Sequence, residues 1–236
     1  MITPYVKKSD DFSAMLEDFG IVILGMFRID SNDENHWAEL HGRQGQWLHL
    51  IGNVGSRHFD IFQQKRAESH PKPLSMDEYS EAVLEDMFSS YQIEHYYFPS
   101  RKPYAPFQSW ALRAHSGFLS PLGLLIHPLY GLWHAYRAVM ITQYPLTKIE
   151  DDKSITSPCA SCVEKPCISA CPAKAVGDES AFSYQQCQAY LRAETTSFCV
   201  KQHCLSRQAC PVGKKHQYHK AHLQFHQQNY VENVRG

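Results

Sequence analysis

The sequence predicts an α/β domain over residues 1–150, a small α+β domain over 151–212, and a C-terminal helix and tail over 213–236. Three observations carry this reading. Helical and extended hydrophobic patterns follow one another up to about residue 150. A polar, charged stretch from Thr147 to Pro158 then interrupts them and reads as a linker. All eight cysteines lie between Cys159 and Cys210, and the first 158 residues contain none.

The elements of the first domain follow in order. Phe12, Met15, Leu16 and Phe19 have helical spacing, and Gly20 is a stop signal. Ile21 to Ile29 is a nearly continuous apolar run, as in a strand buried on both faces. Trp47 to Ile51 is a second strand, running into a Gly52-Asn53-Val54-Gly55 loop. Ser75-Met76-Asp77-Glu78 has the form of a capping box and opens a helix to about Ser89, with Tyr79, Val83 and Met87 on one face. Ile93 to Phe98 is a third strand. Three prolines make Pro99 to Phe107 an irregular loop, and Gln108 to His115 one or two helical turns. Leu124-Leu125-Ile126 is a short apolar segment, Pro128 and Gly131 bracket a turn, and Trp133 to Thr142 is a further strand.

Composition excludes several classes. With 43% hydrophobic and 20% charged residues, the 236-residue chain is not disordered throughout. A net charge of -1 gives no electrostatic footprint for DNA. No apolar run is long enough to cross a bilayer, and MITPYVKKSDDF lacks the pattern of a signal peptide. A cytoplasmic protein without a membrane partner is expected.

The cysteines carry the chemistry. Cys159-x2-Cys162-x4-Cys167-x3-Cys171-Pro172 is followed by Cys187 and then by Cys199-x4-Cys204-x5-Cys210-Pro211. Short gaps ending in Cys-Pro resemble the two-cluster ferredoxin pattern, in which one loop wraps a cluster. A [4Fe–4S] cluster takes four thiolates, so eight cysteines supply two clusters with none left over. The segment therefore reads as a ferredoxin-like domain for electron transfer. The alternative is two structural zinc sites of four cysteines each. Disulfides suit a cytoplasmic chain less well.

Together with residues 124–133, these cysteines resemble the epoxyqueuosine reductase family of corrinoid-dependent iron–sulfur reductases. Leu124-Leu125-Ile126-His127-Pro128-Leu129-Tyr130-Gly131-Leu132-Trp133 is similar to the family's Leu-Leu-Ile-x-Pro-x-Tyr-Gly-x-Trp segment. The run from Cys159 to Pro172 and the lone Cys187-Gln188-Ala189-Tyr190-Leu191 match as well. The resemblance spans roughly residues 110–212. It implies crossed ligation, with Cys159, Cys162, Cys167 and Cys210 on one cluster and Cys171, Cys187, Cys199 and Cys204 on the other. It also implies a corrinoid-reductase type of first domain, cobalamin as a further cofactor, a redox-protein partner, and a tRNA or small-molecule substrate. Two departures stand beside it. The family's Gly-Lys-Asn stretch is replaced by Ser120-Pro121-Leu122-Gly123. The window RKPYAPFQ, Arg101 to Gln108, holds no Asp or Glu where the family has its catalytic aspartate.

Other residues invite weighing. Tyr130 and His127 are candidate proton donors, and Tyr130, Trp133 and His134 candidate cofactor-binding residues, with Tyr136 beside them. The other reading of that cluster is ordinary packing. His58, Asp60, Glu94 and His95 are acid–base candidates of low specificity. His219, His222 and His226 could share a helical face and ligate a metal, but no carboxylate partner completes a site, and a solvated helix or one packed on the cluster domain is the favoured reading. Lys214, Lys215 and Lys220 could dock an acidic electron donor or RNA phosphates. The leading expectation is two clusters relaying electrons to a site in the first domain. The alternatives are a plain electron carrier with a docking module, and a zinc-bound structural protein.

Overall fold

The computed structural model describes residues 4–68, 74–147, 155–177 and 182–235. In chain order its elements are α1 (Pro4–Asp18), β1 (Ile21–Arg28), α2 (Ser31–His36), β2 (Trp47–Val54), α3 (Arg57–Glu68), α4 (Met76–Ser90), β3 (His95–Tyr97), α5 (Phe107–Arg113), β4 (Phe118–Leu119), β5 (Leu125–Ile126) and β6 (His134–Thr142). The cysteine half follows with α6 (Pro166–Ser169), α7 (Tyr184–Ala193), α8 (Phe198–Lys201), α9 (Leu205–Ala209) and α10 (Lys220–Arg235).

The chain forms two compact units, residues 1–116 with 134–154, and residues 117–133 with 155–236. The segment 117–133, expected in the first domain, thus belongs with the cysteines. The expected linker falls mostly on 148–154, outside the described residues.

The first unit is built on a four-stranded sheet of order β1-β2-β6-β3. Every pairing is antiparallel, with Ile21 opposite Asn53, Trp47 opposite Thr142 and Tyr97 opposite Val139. This corrects the α/β expectation to α+β. The apolar run Ile21–Ile29 predicts a strand covered on both faces, but β1 lies at the sheet edge and buries only Ile21, Leu24 and Phe27; the inner strand β2 is the one covered on both faces, with Leu48, His49, Leu50 and Ile51 fully buried. Burial does not fix strand direction, and here the 29–46 connection returns the chain beside β1 through α2 rather than through a packed crossover helix.

Helices α1 and α4 supply Phe12, Leu16, Leu84, Met87 and Phe88, which pack with Ile21, Ile51, Ala138 and Met140 of the sheet. The α4 start is the capping box read from sequence, with Ser75 accepting from the Glu78 N–H and Glu78 from the Ser75 N–H. Residues 52–54 are not a loop; β2 runs through them. Gly52 lies at a register shift against Ala135, where an added Cβ would strike the Ala135 carbonyl. Arg137 ties β6 to its neighbours: Nε donates to Asn53 Oδ1 (2.8 Å) and Nη1 to Asp77 Oδ1 (2.9 Å).

In the second unit, β4 and β5 form a small antiparallel pair, Phe118 opposite Ile126. Among the described residues the cysteine segment itself contributes helices and turns but no strand. The turn from His127 to Gly131 lies backbone to backbone against Val212 and Gly213, just past Cys210-Pro211. Gly131 has φ +61°, and a Cβ there would meet the Val212 carbonyl. Helix α10 packs on α7 and α8, which bear Cys187 and Cys199.

Candidate metal centre

Each cysteine is held by local chain geometry. Cys159 and Cys162 lie in the turn before α6, and Cys167 is inside α6 behind Pro166 at the first helical turn. Cys187 is on α7 and Cys199 on α8. Cys204 caps the start of α9 and Cys210 its end. Lys165 and Lys174 adopt left-handed backbone, φ +39° and +51°, each three residues after a cysteine. After Lys174 the chain brings the Ala175 N–H to Cys171 Sγ at 3.3 Å.

All eight thiols are free of disulfides. Their electrostatics fall into two groups of four. Burial, and then the neighbouring Cys210, Cys167 and Cys162 sulfurs, pushes the Cys159 thiol up. Burial also raises Cys167 and Cys210, each of which faces Cys162. Burial first, then Cys204, Cys171 and Cys199, pushes Cys187 up to about 11. Cys199 and Cys204 are likewise raised, by burial first and with Cys171 beside each. Each of these couplings stays inside one set, {159, 162, 167, 210} or {171, 187, 199, 204}.

The first set lines a small, partly open cavity. Its other walls include Leu122, Ile126 and Leu132 of the 117–133 segment, with Pro166 and Val212. Cys171 and Cys204 border the same apolar cluster, so the two sets are adjacent. Among the described residues, no three His, Cys, Asp or Glu side chains converge closely enough to hold a single ion. The four thiols of the first set are arranged around a space. A four-iron cluster presents four separate irons to four sulfurs, which suits such an arrangement.

Burial pushes the Cys204 thiol up, and the Arg207 guanidinium nearby works against it. Arg207 is sandwiched, 5.1 Å from the Trp133 ring and 4.8 Å from that of Tyr218, and donates to the Leu132 carbonyl (2.6 Å). Cys187 and Tyr230 pack against the same apolar cluster as Cys199. Arg207, Tyr218 and Tyr230 were not legible as site residues, because no motif ties them to cysteines distant in sequence.

The aromatic cluster expected around residues 127–136 is divided. His127, Tyr130 and Trp133 belong to the second unit, His134 and Tyr136 to the first. His127 Nδ1 accepts the Leu129 and Tyr130 N–H groups (3.0 and 3.3 Å), and its ring lies 4.4 Å from that of Tyr130. That geometry closes a turn. Trp133 is fully buried against Tyr218, and its indole N–H finds no acceptor among the described residues. His134 begins β6 and meets Tyr136 edge-on, while burial pushes Tyr136 up to about 12.

The remaining candidates are occupied elsewhere. His58 is buried in the first unit, bonded to the Phe19 carbonyl and to Ser80 Oγ, both at 2.8 Å. Asp60 lies exposed in the first turn of α3, and His95 Nδ1 meets Arg43 at 3.0 Å. Glu94 is exposed next to it. His222 is fully buried, stacks on Tyr218 at 3.9 Å and places Nε2 2.9 Å from His226 Nε2. His219 accepts the His222 N–H. Near the Arg101–Gln108 window, Glu81 and Glu85 approach Arg101 at 2.7 and 2.6 Å, so their charges are paired.

No family model matches the sequence, and no curated protein does. Solved structures do. The B12-trafficking protein CblC of C. elegans, a homologue of human MMACHC, is similar over 98% of this chain and 94% of its own, at 17% identity and a TM-score of 0.53. An epoxyqueuosine reductase bound to an epoxyqueuosine-modified tRNA-Tyr stem loop is similar over 91% of this chain and 68% of its own, at 14% identity and a TM-score of 0.50. This chain shares their fold. No described helix is long and apolar enough to cross a membrane.

Proposed function

We propose that this chain is an iron–sulfur redox protein of the epoxyqueuosine reductase type, with two [4Fe–4S] clusters that pass electrons to a cofactor or substrate site in the first unit. The observation that carries the reading is the separation of eight free thiols into two adjacent sets of four, Cys159, Cys162, Cys167 and Cys210 against Cys171, Cys187, Cys199 and Cys204. Soft sulfur donors in fours suit iron clusters, which supply one-electron chemistry when bound. The chain's own part is to hold and shield. Leu122, Ile126 and Leu132 keep an apolar wall beside the first set, and Arg207 places a fixed positive charge beside Cys204. The wall keeps water from negative charge developing on the first set, and the guanidinium stabilises such charge on Cys204.

Cobalamin is the cofactor this reading favours for the first unit, since one fold neighbour is a B12-trafficking protein. A tRNA is the favoured substrate class, on the strength of the other. A second reading, a plain electron carrier whose first unit docks a partner, is favoured by one observation: the Arg101–Gln108 window has no carboxylate, and the two glutamates near it are paired with Arg101.

Anaerobic reconstitution tests the first claim. About eight irons and eight sulfides per chain are expected, on two four-iron clusters. Tightly held zinc with no sulfide would refute it. A cobalamin titration of the reconstituted protein then separates the two readings: a saturable shift of the corrinoid bands supports the reductase, and unchanged bands with intact clusters support the carrier.

A further inference from the structure

The chain around Cys210 has an inner and an outer side. Leu132, Pro211 and Val212 line the cavity of the first thiol set together with Cys210. The residues next to them turn outward: Leu129 is 55% exposed, and Lys214 and Lys215 are exposed on the 3-10 turn Lys214–His216. Close contacts join these pieces into one surface. A Cβ on Gly213 would strike the Tyr130 carbonyl, so the 127–131 turn and the start of the lysine turn touch backbone to backbone. The His216 ring meets the Tyr130 ring at 5.0 Å. Lys214 Nζ folds back to donate to the Gln208 carbonyl, just before Cys210.

The charge of this surface has one sign. Lys214 and Lys215 are followed by Lys220 at the start of α10. Among the described residues none of these three lysines has a carboxylate within ion-pair reach. The described side-chain carboxylates of the second unit are Glu164, Glu194 and Glu232, and none of them lies in the 127–133 or 210–220 stretches. Unpaired lysines beside an exposed leucine, with a thiol of the first set on the inner side, suit an acidic redox protein. The charges steer its approach, and the apolar residue gives the contact a dry centre. RNA suits the surface less well, because arginine forks and open aromatic faces are what grip phosphates and bases. Arg207 is enclosed by Trp133 and Tyr218, and the Tyr130 ring is already in contact with His127, at 4.4 Å, and with His216.

We propose that the face of Leu129, Lys214 and Lys215 is the docking site for an acidic electron-carrier protein, which delivers single electrons to the cluster held by Cys159, Cys162, Cys167 and Cys210. The inference rests on the reading of that set as a cluster site and names its partner. In each transfer the reduced centre of the carrier loses one electron and this cluster gains it, and no bond forms or breaks.

The test uses the reconstituted full-length chain, with a plant-type [2Fe–2S] ferredoxin as the acidic probe. Calorimetry reads the binding of oxidised ferredoxin, and stopped-flow spectroscopy the rate at which reduced ferredoxin reduces the chain's clusters. Lys215→Glu is expected to lower affinity and rate about tenfold at low salt. Its difference from wild type is expected to vanish at about 1 M salt, where charges are screened beyond about 3 Å. Leu129→Ser is expected to weaken binding severalfold with the salt dependence unaltered. Lys201→Glu, an exposed charge reversal at the end of α8, is expected to behave as wild type. Unchanged affinity and rate in either Lys215→Glu or Leu129→Ser, or an equal loss in Lys201→Glu, would overturn the inference. So would a wild-type chain with intact clusters that binds no ferredoxin. If Lys215→Glu weakens only the binding of a tRNA anticodon stem loop, the face is an RNA contact and the inference falls as well. A wild-type chain that assembles no cluster would overturn the proposed function itself.

Discussion

His58 and His49 are enclosed where a charge has no place. Burial, with the Arg137 charge adding to it for His58 and the Phe19 carbonyl opposing it, brings His58 down to about 4. Burial brings His49 to about the same value, with the Tyr144 carbonyl opposing it. In the unfolded chain both titrate near the ordinary 6.5. Between about pH 6.5 and about pH 4 the unfolded state therefore binds protons that the folded state refuses, and stability falls as the pH falls. The slope is about 1.4 kcal/mol per pH unit for each histidine, and it vanishes below the folded value. Thermal unfolding at about pH 7 and about pH 5 checks this: the midpoint should drop, and should drop less in His58→Gln. Equal drops in the two proteins would remove His58 from the account. Sequence alone marked His58 as an acid–base candidate of low specificity, not as an enclosed histidine. Its enclosure depends on Phe19 and Ser80, which lie 39 and 22 residues away in the chain.

At the scale of elements, local chemistry was legible and pairing was not. The Ser75–Glu78 box was read from four consecutive residues because each partner is three positions from the other. An equivalent box, Asp30 with Asp33, starts α2. It went unread because the six residues it opens, SNDENH, carry no apolar stripe to mark a helix. Ser75→Ala should cost about 1 kcal/mol of stability, the usual worth of a capping side chain, with the fold unchanged. Denaturant unfolding would read this as a lowered midpoint with an unaltered slope, and an unchanged midpoint would mean that the cap is redundant. Apolar runs located β1, β2 and β6 within a few residues, yet the antiparallel order β1-β2-β6-β3 rests on contacts between residues such as Leu48 and Ile141, far apart in sequence. The strand through Gly52 was cut short for a different reason. Two glycines so close together look like a loop, whereas one of them is there to let Ala135 approach.

At the scale of the whole molecule, the cysteines were the clearest signal, because thiolate spacing is chemistry written locally. The partition into two sets places Cys210 with residues some 50 positions earlier, and Cys171 with residues that follow it. On this partition, Cys210→Ser should perturb the cluster of Cys159, Cys162 and Cys167, and Cys171→Ser the other. Paramagnetic resonance of the two variants would distinguish this from ligation in simple sequence order, which predicts the opposite assignment. The placement of residues 117–133 was not legible. Leu122, Ile126 and Leu132 look like core residues of whatever domain surrounds them, and only the structure puts them on the wall of the thiol cavity.

That placement means the polypeptide passes from one unit to the other three times, near residues 116, 133 and 154. A chain stopped after residue 154 would still carry the loop of the second unit but none of its cysteines, leaving Leu122, Ile126 and Leu132 without the partners that cover them. During synthesis the same holds in time: this loop leaves the ribosome before Cys210 and Val212 exist, and its apolar side must stay in water until they arrive. The protein is thus a poor subject for dissection into halves, and a chaperone or an early metal-loading factor has a defined interval in which to act.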